Sequence, residues 1–93
     1  MYFIYVLQSL KDRKLYVGYT TDLNQRIEKH NSGSVSSTKG RRPFKLIFFE
    51  GYQDKGDALR RESYLKTNEG KKMLRRMLRN YFATQTRVDA SPA

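Results

Sequence analysis

Apolar and polar positions are grouped in blocks along the first twenty residues of the chain. Residues 2–8 read YFIYVLQ and residues 15–20 read LYVGYT, and both runs are rich in the β-branched and aromatic side chains that favour strands. A short polar connector separates them, so the pattern predicts an antiparallel β-hairpin. Side chains alternate between the two faces of a strand, so Tyr16 shares a face with Gly18, and Tyr5 with its second neighbours. A glycine within a strand indicates that another group approaches its backbone closely.

Helical spacing follows the hairpin. Leu23 and Ile27 are four residues apart and form a narrow apolar stripe on a helix predicted over about residues 21–31. Arg26 and His30 are neighbours on adjacent turns of that helix. On a helical wheel they lie along one edge of its apolar face, so the helix is expected to carry a cation and an imidazole to the rim of the sheet.

A third apolar run follows a loop without periodicity. The loop covers residues 32–42, and its cations Lys39, Arg41 and Arg42 are suited to phosphate contacts. Residues 44–52 read FKLIFFEGY, a strand that is apolar nearly throughout. Near-continuous apolarity is typical of a strand covered on both faces, so we expect helices on both sides of the sheet.

The second half of the chain predicts more helix. One helix is predicted from about residue 54 to residue 68, with Gly70 as its stop. Its spacing places Glu62 within the inward-facing arc. A carboxylate there is costly unless it is paired or bound to a metal. Pairing with Lys66, one turn further on, explains Glu62 without a metal, and both interpretations remain open at this point.

A last amphipathic helix is predicted over residues 71–82, with an apolar stripe on one side and cations on the other. Residues 83–93 show no periodicity and are predicted to be a disordered tail. The chain is thus predicted to have one domain over residues 1–82. The fold class is α+β, a small three-stranded antiparallel sheet flanked by about three helices.

Charge narrows the classes of partner. The chain has 19 Lys and Arg against nine Asp and Glu, a formal net charge of +10, which attracts polyanions and favours nucleic acid. No apolar run approaches the roughly 20 residues of a membrane helix, and no secretory signal opens the sequence, so no membrane partner is expected. The chain has no cysteine, which excludes disulfides and fits a cytoplasmic location.

Two tripeptides carry a resemblance to a known family. Residues 3–5 (FIY) and 16–18 (YVG) resemble the two signature tripeptides of the GIY-YIG endonucleases, at that family's short spacing. Phe3 replaces the first glycine and Val17 the second isoleucine. The resemblance covers roughly residues 2–82 and implies a GIY-YIG-like fold. It is closest to small stand-alone members that resemble the catalytic domain of the excision-repair nuclease, which implies a role in DNA repair.

This resemblance implies a metal-dependent endonuclease and a role for each matching residue. Tyr16 corresponds to the family's general base, and Tyr5 to the tyrosine that supports it. Arg26 corresponds to the arginine that binds the phosphate, and His30 to a histidine present in part of the family. Glu62 corresponds to the glutamate that holds one divalent ion, Mg²⁺ or Mn²⁺.

The expected partner is DNA, branched or damaged, with RNA as an alternative. The nucleic-acid contacts are expected at Lys39, Arg41, Arg42 and Lys66. Target specificity is expected to be low or supplied by a protein partner. A different class of function stays open beside the nuclease, namely a module that binds nucleic acid on the same scaffold without cutting it. Such a module would have no need for an inward carboxylate.

Overall fold

A three-stranded sheet and several helices make up the fold. A computed structural model describes the backbone of residues 1–90 and the side chains of residues 1–85. The strands β1 (Tyr2–Ser9), β2 (Leu15–Thr20) and β3 (Phe44–Tyr52) form one antiparallel sheet in the order β2-β1-β3. The described residues also form α1 (Leu23–Ser32), a 3-10 helix (Lys39–Arg41), α2 (Lys55–Leu65), α3 (Asn68–Met77) and α4 (Arg79–Ala90). The predicted α+β class is confirmed, with four α-helices instead of about three.

The chain divides into two compact units, Met1–Ser63 and Tyr64–Ala93. The first contains the whole sheet, α1 and most of α2. The second contains α3 and α4. Within the described part of the chain, no helix is both long enough and apolar enough to cross a membrane.

The predicted hairpin is confirmed, and its register sets which side chains meet. Tyr5 lies opposite Gly18, and Leu7 lies opposite Tyr16. The hydroxyl of Ser9 organises the connector, because it accepts hydrogen bonds from two backbone N–H groups of the turn, each at 3.1 Å. The two tyrosines therefore stand on paired strands of rigid backbone.

Burial differs between the two long strands. The central strand β1 is buried from Ile4 to Ser9. The expectation that β3 is covered on both faces is wrong, because β3 is an edge strand and Phe49 is 51% exposed. Phe49 packs edge-on against Phe3 with ring centroids 6.3 Å apart. An apolar run can thus form an edge strand whose aromatic side chains pack along their neighbours and still face solvent.

Capping residues set both ends of helix α1. The carboxylate of Asp22 accepts a hydrogen bond from the backbone N–H of Gln25 at 3.1 Å, which is an N-cap. Gly33 ends the helix in the left-handed region at φ 82°. Asn31 then fixes the helix to β3 through two hydrogen bonds with the backbone of Phe44, at 2.7 and 3.1 Å.

The core on this side of the sheet takes side chains from all three strands and from α1. Three buried members, Tyr5, Leu7 and Phe44, are surrounded by the partly buried Tyr16, Leu23, Ile27 and Leu46.

The expected helix end at Gly70 is wrong. Helix α2 stops at Leu65, and Thr67 caps a new helix by accepting from the N–H of Gly70 at 3.0 Å. Gly70 is buried in the first turn of α3, where a Cβ atom would lie 2.6 Å from the Cα of Leu65 and collide with the carbonyl of Tyr64. This glycine serves close backbone approach and not helix termination.

The last predicted helix is two helices. Leu78 leaves helical geometry at φ −105° and ψ 25°, which separates α3 from α4. Helix α4 continues to Ala90, so the tail predicted for residues 83–93 is helical over residues 83–90, and residues 91–93 lie outside the described residues. Within α4, the amide of Gln85 donates to the hydroxyl of Tyr81 at 3.2 Å, a pair at the i, i+4 spacing that supports a helix. The domain limit at residue 82 stays a prediction.

Candidate active site

Tyr5 is the centre of the site because it stands in the middle of the central strand. Its side chain is fully buried. The ring lies over the bare backbone of Gly18, where an added Cβ would come within 2.8 Å of Cε1 and closer still to the hydroxyl end. The close approach that a strand glycine indicates is therefore the approach of this phenol ring.

Two side chains of α1 reach the hydroxyl of Tyr5. The Nε of Arg26 donates to it at 3.2 Å, and Nε2 of His30 lies 2.9 Å from it. The hydrogen bond with Tyr5 raises the pKa of Arg26 above its usual value, and the nearby Tyr16 adds to this. Arg26 is therefore hydrogen-bonded to Tyr5 and lies within electrostatic reach of Tyr16.

His30 lies behind Tyr5 and has no exposed surface. Its Nδ1 lies 2.8 Å from the hydroxyl of Thr38, a residue that is itself fully buried. Burial lowers the pKa of His30 below its usual value, and the nearby charge of Arg26 lowers it further. His30 is thus a neutral imidazole at pH 7, and it is placed to hold Tyr5 in position and not to touch a substrate.

Tyr16 differs from Tyr5 in its access to solvent. Its side chain is only partly buried, and its ring packs against His30 with centroids 4.9 Å apart and against Tyr5 with centroids 6.3 Å apart. Burial raises the pKa of Tyr5, while the hydrogen bond from Arg26 opposes that shift. Of the two phenols, Tyr16 is therefore the one that can meet water and a substrate.

Glu62 lies in the second half of α2 and is half-buried. Its charge is among the smaller causes that raise the pKa of Tyr5, so its carboxylate lies within electrostatic reach of the phenol. The inward-facing side of α2 is narrower than predicted. Ala58 is buried, but Leu59, three residues before Glu62, is 38% exposed. Lys66 follows the end of α2 and is exposed.

A metal at this site would depend on few protein ligands. No group of three or more His, Asp or Glu side chains able to hold an ion occurs among the residues that the structure describes. Mg²⁺ keeps several of its water molecules and binds through one or two carboxylates together with substrate phosphates. The single carboxylate of Glu62 fits such an ion, and it does not fit a site built wholly from protein ligands.

An open cleft of about 250 Å³ borders Arg26. Its walls come from the end of β2 and from the first turns of α1, and they carry hydroxyl, amide and cationic groups: Tyr19, Thr20, Thr21, Gln25, Arg26 and Lys29. The cleft gives a ligand a path to the guanidinium from the solvent side.

Known proteins with this sequence pattern identify the family. The model of the GIY-YIG catalytic domain matches residues 1–77. The chain belongs to the GIY-YIG family. Membership implies a nuclease that hydrolyses phosphodiester bonds, and GIY-YIG nucleases generally use a divalent metal. The match confirms the resemblance that the two tripeptides carry, although Phe3 and Val17 depart from the family signature.

The relatives share both sequence and fold. UPF0213 proteins of Staphylococcus aureus strains Mu3 and N315 are each 44% identical over 75 residues, which cover 80% of this chain and 90% of theirs. The solution NMR structure of the UPF0213 protein BH0048 from Bacillus halodurans is 33% identical, with a TM-score of 0.55. The match covers 98% of this chain and 100% of that chain. This chain is therefore similar to small stand-alone members of the GIY-YIG family.

The loop cations of this GIY-YIG domain differ in their surroundings. Arg41 is tied to the hairpin, because its Nε donates to the carboxylate of Asp12 at 3.0 Å and its guanidinium lies 5.7 Å from the ring centre of Phe44. Lys39 and Arg42 are exposed, with Arg42 donating to the carbonyl of Lys39 at 2.9 Å. Lys39 and Arg42 are thus better placed than Arg41 to meet a phosphate.

Two residues at the GIY-YIG site escape sequence reasoning. Thr38 stands in a polar loop whose composition gives no sign of burial, and Asn31 is ambiguous between a helix end and a contact. Each acts across a long stretch of sequence or through a folded turn, so neither shows a short-range pattern. His30 and Thr38 are eight residues apart across a loop without periodicity, so this spacing predicts no contact.

Proposed function

We propose that this chain is a divalent-metal-dependent endonuclease that hydrolyses the phosphodiester bonds of DNA. The observation that carries the proposal is the position of the Arg26 side chain. Its Nε donates a hydrogen bond to the buried hydroxyl of Tyr5, Tyr16 lies within electrostatic reach, and Arg26 also lines an open cleft. A guanidinium held in this way presents its remaining N–H groups in a fixed geometry, which suits phosphate oxygens.

The two tyrosines have separate roles in this proposal. Tyr16 is the general base, since its hydroxyl is the one that can meet a water molecule beside the phosphate. Tyr5 stays protonated, because burial raises its pKa above its usual value, and it holds Arg26 in place.

Glu62 is the proposed ligand of a single Mg²⁺ or Mn²⁺, with water and substrate oxygens as the remaining ligands. Such an ion polarises the phosphate and stabilises the leaving oxygen when it is bound. The half-buried position of Glu62, within electrostatic reach of Tyr5, supports this role. Arg26 binds the same phosphate and offsets the negative charge that develops in the transition state.

The cleft beside Arg26 is the proposed path of the cut strand. Lys29 and Gln25 lie along its wall and offer an ammonium and an amide to a neighbouring nucleotide. The net charge of +10 supplies the sequence-independent attraction that brings any polyanion to this surface.

Strand scission with purified protein tests the proposal. The substrates are supercoiled plasmid, a branched DNA and an RNA of the same sequence, each with Mg²⁺, Mn²⁺ or EDTA. We expect metal-dependent cleavage of DNA that Glu62→Ala abolishes and Tyr16→Phe severely reduces. Binding should persist in both variants, because most cations remain.

Two control variants separate chemistry from folding and charge. Glu28→Ala removes an exposed carboxylate from α1, and Tyr2→Phe removes a hydroxyl from the hairpin on the other side of the sheet from Tyr5. Both are expected to cut as the parent chain does. If Glu62→Ala and Tyr16→Phe cut as fast as these controls, the assignment is wrong. Metal-independent binding without scission would instead indicate the non-catalytic module.

A further inference from the structure

The core of the first unit contains a series of hydrogen-bonded polar side chains. It runs from Arg26 to the hydroxyl of Tyr5, on to the imidazole of His30 and then to the hydroxyl of Thr38. Tyr5, His30 and Thr38 have no exposed surface. Buried polar groups are stable only when each donor finds an acceptor, so the direction of every hydrogen bond in the chain is constrained.

The direction follows from Arg26, which can only donate. Its Nε–H occupies the oxygen of Tyr5 as an acceptor, so the hydroxyl proton of Tyr5 must point elsewhere. The ring nitrogen Nε2 of His30, at 2.9 Å, can accept it. The proton of the neutral imidazole is then on Nδ1, which donates to the hydroxyl of Thr38 at 2.8 Å. The hydroxyl of Thr38 donates to the carbonyl of Val35 at 3.4 Å.

The opposite tautomer leaves the chain unsatisfied. With the proton on Nε2, both His30 and Arg26 would donate to the oxygen of Tyr5. The hydroxyl proton of Tyr5 would then have no acceptor among these buried groups. Thr38 would have to turn its proton from a carbonyl toward Nδ1. Only the Nδ1–H form gives every donor in this series of hydrogen bonds a separate acceptor.

Thr38 is held firmly enough to impose this choice. Its backbone N–H donates to the carbonyl of Val35 at 3.1 Å, and its carbonyl accepts from the N–H of Arg41 at 2.9 Å. The loop is joined to the hairpin through the hydroxyl of Ser9, which donates to the carbonyl of Arg41 at 2.6 Å. The loop that appears unstructured in the sequence thus places one hydroxyl against the imidazole.

We propose that Thr38 is a positioning residue that fixes His30 in its Nδ1–H tautomer, and that His30 in turn directs the hydroxyl proton of Tyr5 away from Arg26. The oxygen of Tyr5 then faces Arg26 as a pure acceptor and sets the orientation of the guanidinium. The effect on cleavage rests on the nuclease proposed above, whereas the tautomer is a property of the folded chain alone.

The chain has a single histidine, so its imidazole can be observed without assignment ambiguity. Long-range ¹H–¹⁵N correlation spectra of the labelled protein at neutral pH report which ring nitrogen carries the proton. We expect the Nδ1–H tautomer in the parent chain, whereas an imidazole free in water favours Nε2–H. A spectrum of the Nε2–H form overturns the proposal, and this measurement needs neither a variant nor a substrate.

Two substitutions then test the role of the hydroxyl. Thr38→Val keeps the shape and removes the acceptor, and Thr38→Ser keeps the acceptor. We expect Thr38→Val to lose the Nδ1–H signal and to lower the cleavage rate at saturating DNA roughly 10- to 100-fold, with little change in KM. Thr38→Ser should retain both the signal and the rate. If Thr38→Val is folded and keeps the Nδ1–H tautomer, the proposal is refuted, whether or not the chain cuts DNA.

Discussion

Gly18 offers a direct test of how the site is built. Its backbone lies under the ring of Tyr5, and a Cβ atom there would be 2.8 Å from Cε1 and would overlap the hydroxyl end of the ring. Tyr5 is fully buried and bonded to Arg26 and His30, so its ring cannot turn aside without breaking those bonds. Gly18→Ala therefore adds one methyl group where there is no space for it.

The expected cost follows from two opposing effects. Overpacking of a well-packed core typically costs about 1–3 kcal/mol. Replacing glycine lowers the entropy of the unfolded chain, which offsets about 0.4–1 kcal/mol, and the backbone of Gly18 has no positive φ that would add strain. The net expectation is a loss of about 1–2 kcal/mol in the free energy of unfolding. For a domain of this size that lowers Tm by roughly 4–15 °C.

Urea denaturation and thermal melting measure this loss, and Gly40 supplies a matched control. An added Cβ at Gly40 meets no atom within 4 Å, and its φ is not positive. Gly40→Ala should therefore change the free energy of unfolding by less than about 0.5 kcal/mol. Equal stability of the two alanine variants would refute the packing of Tyr5 on Gly18, and with it the geometry that positions Arg26.

Three further predictions concern pH, the second unit and nucleic-acid contacts. Burial lowers the pKa of His30 below its usual 6.5, and the charge of Arg26 adds to the shift. The contribution of neutral His30 to stability is therefore complete above pH 6.5 and is lost as the pH falls through the lowered pKa. The urea midpoint should accordingly be lower at pH 5 than at pH 7.5. Alanine favours a helix over glycine by about 1 kcal/mol. Gly70→Ala should nevertheless lower the melting temperature, because the added Cβ collides with backbone atoms. An unchanged or higher melting temperature would contradict that packing. Replacing both Lys39 and Arg42 by Gln should reduce the salt dependence of DNA binding by up to about two units of log–log slope, and an identical slope would exclude them as phosphate contacts.

Much of the framework was readable from local patterns. The hairpin, α1 and the bounds of β3 follow from runs of apolar residues and from helical spacing. Asp22 and Gly33, which cap α1 in the structure, also act within a few residues. The convergence of Tyr5, Tyr16 and Arg26 was also predictable, because strand alternation and helical spacing already place them on facing sides. Local rules failed where backbone packed against backbone, as at Gly70.

The sequence by itself determined the family, the three strands and the set of residues that could meet around one phosphate, because these depend on short-range periodicity and on residue types. Only the tertiary structure decided that β3 is an exposed edge, that His30 is sealed behind Tyr5 and that Thr38 completes the polar chain. Those properties depend on partners distant in sequence or brought together by a turn. A buried hydrogen bond acquires its direction from the whole network around it, which no local pattern contains.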